Sequence, residues 1–379
     1  MRIAIVAESF LPSVNGVTTS VVEVANHLAA SGHQVTVVAA APARPSTAEA
    51  LSRCRADVTW LPSLAVPGYP SLRLSAPGVP HLRALLADLS PDVVHLAAPF
   101  VLGWDAVRAA RSLQIPTVAV YQTDLPSYAA RYGVGSFEPV VWRRIRAIHR
   151  SADRTLAPSS WSVDQLRQQQ IPRVHRWGRG VDSDVFHPDR RDPALRRRWV
   201  RDEEVVVGYV GRLAAEKQVE DLRALEGLPG SRLVVVGDGP KRLRLQQMLP
   251  TACFCGWLTG NDLARATASF DVLVHPGQHE TFGQTIQEAM ACGVAVVAVA
   301  RGGPLDLVEH GRTGLHYPVG RLDLLRDQVH RLVADPGERL AFGTAGRVAV
   351  RDRSWSRLTQ VLLVHYLEVA SAARLPIAA

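Results

Sequence analysis

Short runs of β-branched and aliphatic residues recur along the chain, each followed by a longer stretch whose apolar positions return every three or four residues. RIAIVAE (2–8) is the first run, and VTTSVVEVANHLAASG, ending at Gly32, is the first helical stretch. QVTVVAA, DVVHLAA, TVAVYQT and RTLAPSS repeat the alternation. Strand-length runs separated by helices predict a parallel sheet wrapped by helices.

The pattern restarts after IPRVHRWGRGVDSDVFHPDRRDP (171–193), with EEVVVGYVGR, SRLVVVGDG, TACFCGW, DVLVHPG and GVAVVAV. Two Rossmann-like α/β halves are therefore expected, joined near residues 172–200: an N-terminal domain over 1–172 and a C-terminal domain over 173–355. Ligands of such sheets collect at the carboxyl ends of the strands, so the site is expected in a cleft between the halves. The last segment, SWSRLTQVLLVHYLEVASAARL, is amphipathic. A helix over 356–379 is expected to return to the N-terminal domain. LPSLAVPGYPSLRLSAPGVP (61–80) carries five prolines and reads as a stiff apolar loop, either packed on its own domain or walling an acceptor pocket.

Composition narrows the class. Hydrophobic residues make up 47% and charged residues 21%, values of an ordinary globular protein. The longest apolar run, GVAVVAVA, is far short of the ~20 residues that span a bilayer. A cytoplasmic protein is expected, with peripheral contact on the inner membrane face as an option. The formal net charge of +8 points to an anionic partner. Of 43 basic residues only Lys217 and Lys241 are lysines, which makes each lysine conspicuous. The four cysteines have neither disulfide-framework nor zinc-site spacing, and Cys253 and Cys255 alternate like strand residues packed inward.

The candidate chemistry lies where runs end. GYVGRLAAEKQVEDL puts Arg212 and Lys217 on a short loop after a strand, a fork and a point charge suited to a diphosphate. In HETFGQTIQEAM a helix starting near Phe282 or Gly283 would offer unpaired N–H groups to an anion. A carboxylate against that phosphate would be repelled. Glu280 and Glu288 should therefore take hydroxyls at the neutral ends of the same ligand, unless they are a dipole-favoured acid and a helix-surface acid. ESFLPSVNGVTTSV opens the first helix at Gly16 or Val17, and the glycine makes a second anion-capable turn. YQTDLPSYAARYG brings Gln122 and Asp124 to a strand end, with Tyr128 nearby. Asp124 either orients an acceptor hydroxyl or caps the next helix. DSD (182–184) sits in the linker rather than at a strand end, and GDGP with Lys241 lacks the P-loop pattern. No metal site is read from these or from the histidines. WRRIRAIHR could meet anionic lipid or be a solvated face. No motif for nucleic acid accompanies it.

Taken in order, Gly16 in PSVNGV, GRLAAEK, GDGP, and E-x7-E in HETFGQTIQEAMACGVAVVA followed by GGPLDLVEHGRTG resemble family 4 of the retaining glycosyltransferases. YQTDLPSYA, WGRGVD and ETFGQTIQEAM are similar to its actinobacterial GDP-mannose-dependent α-mannosyltransferases, the kind that act on phosphatidylinositol mannosides and related glycolipids. The resemblance implies a GT-B fold, a nucleoside diphosphate sugar as donor substrate, a lipid, glycan or small-molecule hydroxyl acceptor, and no metal or other cofactor. It implies donor diphosphate on Arg212 and Lys217, helped by amides at Gly16 and Gly283, Gln284 and Thr285. Glu280 would hold sugar hydroxyls and Glu288 the ribose. Gly256, Trp257 and Leu258 would pack on the base, with Phe282 beside the donor. Many relatives carry a histidine where this chain reads Gln122-Thr123-Asp124, so either Gln122 or Asp124 would take its positioning role. A nucleotide-sugar epimerase, a non-catalytic binding module and a secondary-metabolism enzyme using another donor are the alternatives.

Overall fold

The computed structural model describes residues 1–13, 15–43, 51–66, 69–127, 138–201 and 203–374. These fall into two compact units. The first runs from Met1 to Pro126, resumes up to Arg179 and takes back the chain from Trp355, while the second holds Gly180–Ser354.

In the first unit, β1 (Arg2–Ala7), β2 (Gln34–Ala40) and β3 (Asp57–Leu61) are followed by a two-stranded antiparallel ribbon, β4 (Leu64–Val66) and β5 (Tyr69–Leu74). Then come β6 (Val93–Ala97), β7 (Thr117–Val120), β8 (Arg154–Ala157) and β9 (Val174–Arg176). All but the ribbon form one parallel sheet in the order β3-β2-β1-β6-β7-β8-β9. β1 pairs on both sides, Ile3 lying beside Val35 and Val93. Such a central strand has no solvent face, which is why RIAIVA is apolar almost without a break.

The helix Gly16–Ala30 starts where the Asn15 side chain accepts the amides of Val17 and Thr18, and lays Val21, Val24, Ala25 and Leu28 on the sheet. The same core takes Trp355, Leu362, Tyr366 and Val369 from the C-terminal helix Trp355–Arg374. Tyr366 Oη lies 2.5 Å from His95 Nδ1 of β6, a buried polar link from helix to sheet.

The second unit repeats the plan with β10 (Val205–Val210), β11 (Ser231–Val236), β12 (Cys253–Gly256), β13 (Val272–His275), β14 (Ala295–Val299) and β15 (Gly314–Tyr317). This sheet is also parallel, in the order β12-β11-β10-β13-β14-β15. Alternate residues of β10 enter different cores: Val206 and Val210 join Val234, Ile286 and Val296, whereas Val205, Val207 and Tyr209 join Val235 and Val297.

Residues 61–80 correct the sequence expectation of a loop. Among the described residues, Leu64–Val66 and Tyr69–Leu74 form the ribbon, and Val79 and Pro80 start the helix Val79–Leu89. A two-stranded ribbon has open edges that tolerate proline's missing N–H. Arg73 fastens it by donating to the carbonyls of Ser63 at 2.6 Å and Ala41 at 2.9 Å. Strands β3, β9 and β15 were not anticipated either. β3 and β9 are short edge strands with mixed exposure, and β15 spans four residues behind a turn. Tyr128 lies outside the described residues.

Candidate active site

In the second unit the strand order reverses between β10 and β13, and the loops leaving their carboxyl ends, with the helix that follows β13, carry most of the expected residues. After β10, Arg212 is exposed, and its Nη1 lies 3.9 Å from Oε1 of the buried Glu216. A short 3-10 turn, Ala215–Lys217, then brings Lys217 into an ion pair with Glu280. His275, the last residue of β13, has its Nε2 3.7 Å from the same Glu280 oxygen. Backbone and amide bonds tie these loops together. Gln218 Oε1 accepts the amide of Gln278 at 2.8 Å, and the carbonyl of Glu280 accepts the amide of Gly303 at 2.8 Å. Gly302 and Gly303 permit this approach, since a Cβ on them would stand 2.7 Å from the Glu280 carbonyl oxygen and 2.3 Å from that of Phe282.

The helix begins one residue beyond Gly283 and spans Gln284–Ala291. Gly283 is its N-cap with φ +100°, a conformation glycine takes without strain, and the helix receives no side-chain cap. Gln284, Thr285 and Glu288 form its half-buried stripe, while Ile286, Gln287, Ala289 and Met290 are buried. Such a start concentrates donor N–H groups and the positive end of the dipole at one point. Phe282 is buried with Ile286 and Leu307 in the core, leaving only its backbone for a ligand. At the end of β12, the carbonyl of Gly256 accepts the amide of Gly237 at 2.7 Å, Trp257 is exposed and Leu258 leans on the core. Lys241 is taken by Glu220 at 3.2 Å, so the second lysine braces the GDGP turn instead of standing open beside it.

The first unit gathers Gly16, Gln122 and Asp124 in another way. Arg179, nine-tenths buried, donates to the carbonyl of Gly16 and to Gln122 Oε1, the latter at 3.1 Å. Asp124 is buried, its Oδ1 3.3 Å from Tyr121 Oη. Arg179 was missed in the sequence, where it reads as part of the linker WGRGVD. The glycine on either side of a large cation was the available signal. Asp182 of DSD accepts the amides of Asp184 and Val185 at 3.0 and 3.1 Å, a local turn. Among the described residues no group of three or more His, Cys, Asp or Glu side chains is placed to hold a metal. The arginines of WRRIRAIHR are partly committed within the unit. Arg144 lies over the Trp104 ring, Arg146 bonds Gln169 and Arg150 bonds Gln170.

Comparison with known proteins bears on the family and the fold. The family model for Glycosyltransferase Family 4 matches residues 14–185, and that for Glycosyl transferases group 1 matches residues 192–349. A GDP-mannose-dependent alpha-mannosyltransferase of Mycobacterium tuberculosis (strain CDC 1551 / Oshkosh) is 48% identical over 369 residues, 97% of this chain and 96% of that protein. A protein of the same description from Corynebacterium glutamicum is 43% identical over 379 residues, 100% of this chain and 91% of the other. Of solved structures, sucrose-phosphate synthase from Thermosynechococcus elongatus matches with a TM-score of 0.81 at 22% identity, covering 98% of this chain and 99% of its own. Anabaena HepE in complex with UDP matches at 0.78 and 18%, covering 97% and 100%. At such identities the solved structures establish the fold, which is GT-B.

Proposed function

We propose, from the premise that the chain belongs to glycosyltransferase family 4, that it transfers a mannosyl group from GDP-mannose to a hydroxyl acceptor with retention of anomeric configuration. The observation that carries this reading is the 48% identity with a GDP-mannose-dependent alpha-mannosyltransferase across 97% of the chain, both units included. The site supports it. Arg212 and Lys217 take the donor diphosphate together with the amides from Gly283 to Thr285. Glu288, on the open stripe of the same helix, takes the ribose diol, and Glu280 the sugar hydroxyls. Gly256, Trp257 and Leu258 receive the base. The Gly16 amide helps with the diphosphate, and Gln122 and Asp124 act on the sugar and acceptor side, one or the other positioning the reacting hydroxyl.

Loss of the nucleoside diphosphate builds negative charge on its terminal phosphate. Cations and helix amides aimed there stabilise that charge more in the transition state than in the ground state. The acceptor hydroxyl attacks from the leaving-group face, and its proton passes to the departing phosphate oxygen. The net charge of +8 supports peripheral contact with an anionic surface, checked by co-sedimentation with anionic vesicles.

A thermal-shift panel of nucleoside diphosphates and their sugars tests the donor, since a ligand of the native state raises the melting temperature. GDP and GDP-mannose should shift it most. Turnover with GDP-mannose should yield an α-linked product by NMR, and a β-linked product would sink retention. Lys217→Ala should lower kcat by about 10²–10³-fold, the usual cost of a lost charge-stabilising donor. A near-normal rate would remove Lys217 from this role.

A further inference from the structure

Glu280 has two neighbours able to carry positive charge on one carboxylate oxygen. Lys217 is ion-paired with it, and His275 Nε2 stands 3.7 Å away. Both are enclosed: His275 is 6% exposed, and the Glu280 side chain 17%. Gly277 makes the approach possible. A Cβ there would sit 3.3 Å from His275 Cε1, so the ring would have to give by a few tenths of an ångström, and 3.6 Å from Glu280 Oε1, an ordinary contact.

We propose that His275 is a positioning residue that takes up a proton when the donor diphosphate draws Lys217 away from Glu280. The proposal rests on the site reading above, in which Lys217 serves the diphosphate. With Lys217 on the carboxylate, a second cation is superfluous. Burial is the main cause that lowers the imidazole pKa, Lys217 adds to it, and Glu280 opposes both. A diphosphate carries more negative charge than one carboxylate and competes for the ammonium. When it succeeds, the influence of Lys217 on the ring disappears and that of Glu280 remains. A half-buried carboxylate stripped of its cation loses stabilisation, and a proton on His275 restores the pairing.

Among the described residues no other charged group acts on the ring. In β14 the register neighbour of His275 is Ala298, and β10 sets Val207 and Gly208 beside the preceding residues Val272 and Leu273. The helices Gln284–Ala291 and Leu322–Ala334, packed on β13, turn Ile286, Ala289, Leu325 and Val329 inward. Lys217 and Glu280 are the charged groups acting on the ring. Protonated His275 then holds Glu280 in place for the sugar hydroxyls while Lys217 is occupied elsewhere.

The sign follows from linkage. If binding takes up a proton, nucleotide affinity falls as pH rises, approaching about tenfold per pH unit for one proton. The test is titration calorimetry of GDP into the full chain, in two buffers of different protonation enthalpy, over the range from about pH 6 to pH 8. GDP ionises on its own account, so the readout is the difference between wild type and His275→Gln. Wild type should take up close to one proton more per GDP bound, and its affinity should fall more steeply with pH. A His275 that only fills space would leave the proton count unchanged, so equal uptake overturns the proposal. Glu280→Gln removes the attracting carboxylate and serves if His275→Gln does not fold. Extra uptake that persists there also overturns it. Absence of GDP binding by wild type defeats the site reading, and the linkage with it.

Discussion

The two sheets share a strand plan, yet the crevice where the strand order reverses is filled in opposite ways. In the first unit the reversal falls between β1 and β6. Glu8, just past β1, accepts the amides of Phe100 at 2.7 Å and Gly103 at 2.9 Å through one carboxylate oxygen. The start of the helix Leu102–Ser112 is thus satisfied by the chain itself. In the second unit the reversal between β10 and β13 presents Arg212, Lys217 and an uncapped helix start at Gly283. Topology supplies a crevice to each unit. Side chains decide whether its amides are capped, and in the second unit the helix start at Gly283 receives no side-chain cap.

The sharpest way to break this comparison is to delete one acid from each crevice. Glu8→Ala leaves two amides without their acceptor. Hydrogen bonds to a charged group are worth about 1.5–3 kcal/mol each. Burial raises the Glu8 pKa, so part of that gain is spent on desolvation. A net loss of about 3 kcal/mol is expected, seen as an earlier transition in urea for the first unit. Glu280→Gln should leave the urea midpoint nearly unchanged and depress turnover. The reverse pattern would mean that Glu280 is the structural acid and Glu8 the functional one.

A smaller effect separates the units through their histidines. Burial pushes the His95 pKa down to about 3, so the ring is neutral, and its Nδ1 shares a hydrogen bond with the Tyr366 hydroxyl. Tyr366→Phe should cost about 1–2 kcal/mol by orphaning that nitrogen, loosening the C-terminal helix from β6. Acid should act on the same place. Unfolded histidine binds a proton near pH 6.5, whereas folded His95 refuses it until about pH 3. His149 behaves alike, down to about 4. Stability of the first unit is therefore full above about pH 6.5 and lost progressively as pH falls through that window. A urea midpoint that is flat from pH 7 to pH 4 would contradict it.

The same contrast governs what the sequence disclosed. The parallel plan, the restart of the pattern and the residues of the second crevice were legible, because that crevice is locked by backbone. GDGP and GGP mark places where a Cβ would strike backbone, and ETFG one where φ is positive: at Gly237, with φ +141°, a Cβ would stand 1.9 Å from the Gly211 carbonyl oxygen. Glycines in a row announce such crossings. The first unit is locked by side chains whose partners are remote. Glu8 reaches residues more than 90 positions away, and Arg179 reaches Gly16 across 163. Neither partnership leaves a local trace. The ribbon at 64–74 was hidden for a related reason, since its prolines argue against a strand while its fastening comes from Arg73 and Ala41.

The mildest substitution follows from that difference. A Cβ on Gly16 would sit 2.8 Å from Arg179 Nη1, the far end of a flexible side chain, not backbone. The guanidinium can swing aside, and alanine suits a helix better than glycine by about 0.5–1 kcal/mol. The helix gain offsets part of the two Arg179 hydrogen bonds lost, and Gly16→Ala should cost about 1 kcal/mol of stability. It should also cost activity, because Arg179 must leave the Gly16 carbonyl and Gln122 Oε1. Arg179→Met would lose the same contacts by another route. If the guanidinium is what matters at Gly16, the two losses in kcat/KM will not add in the double variant. Additive losses would show that Gly16 meets the substrate through its own backbone, and that Arg179 acts elsewhere.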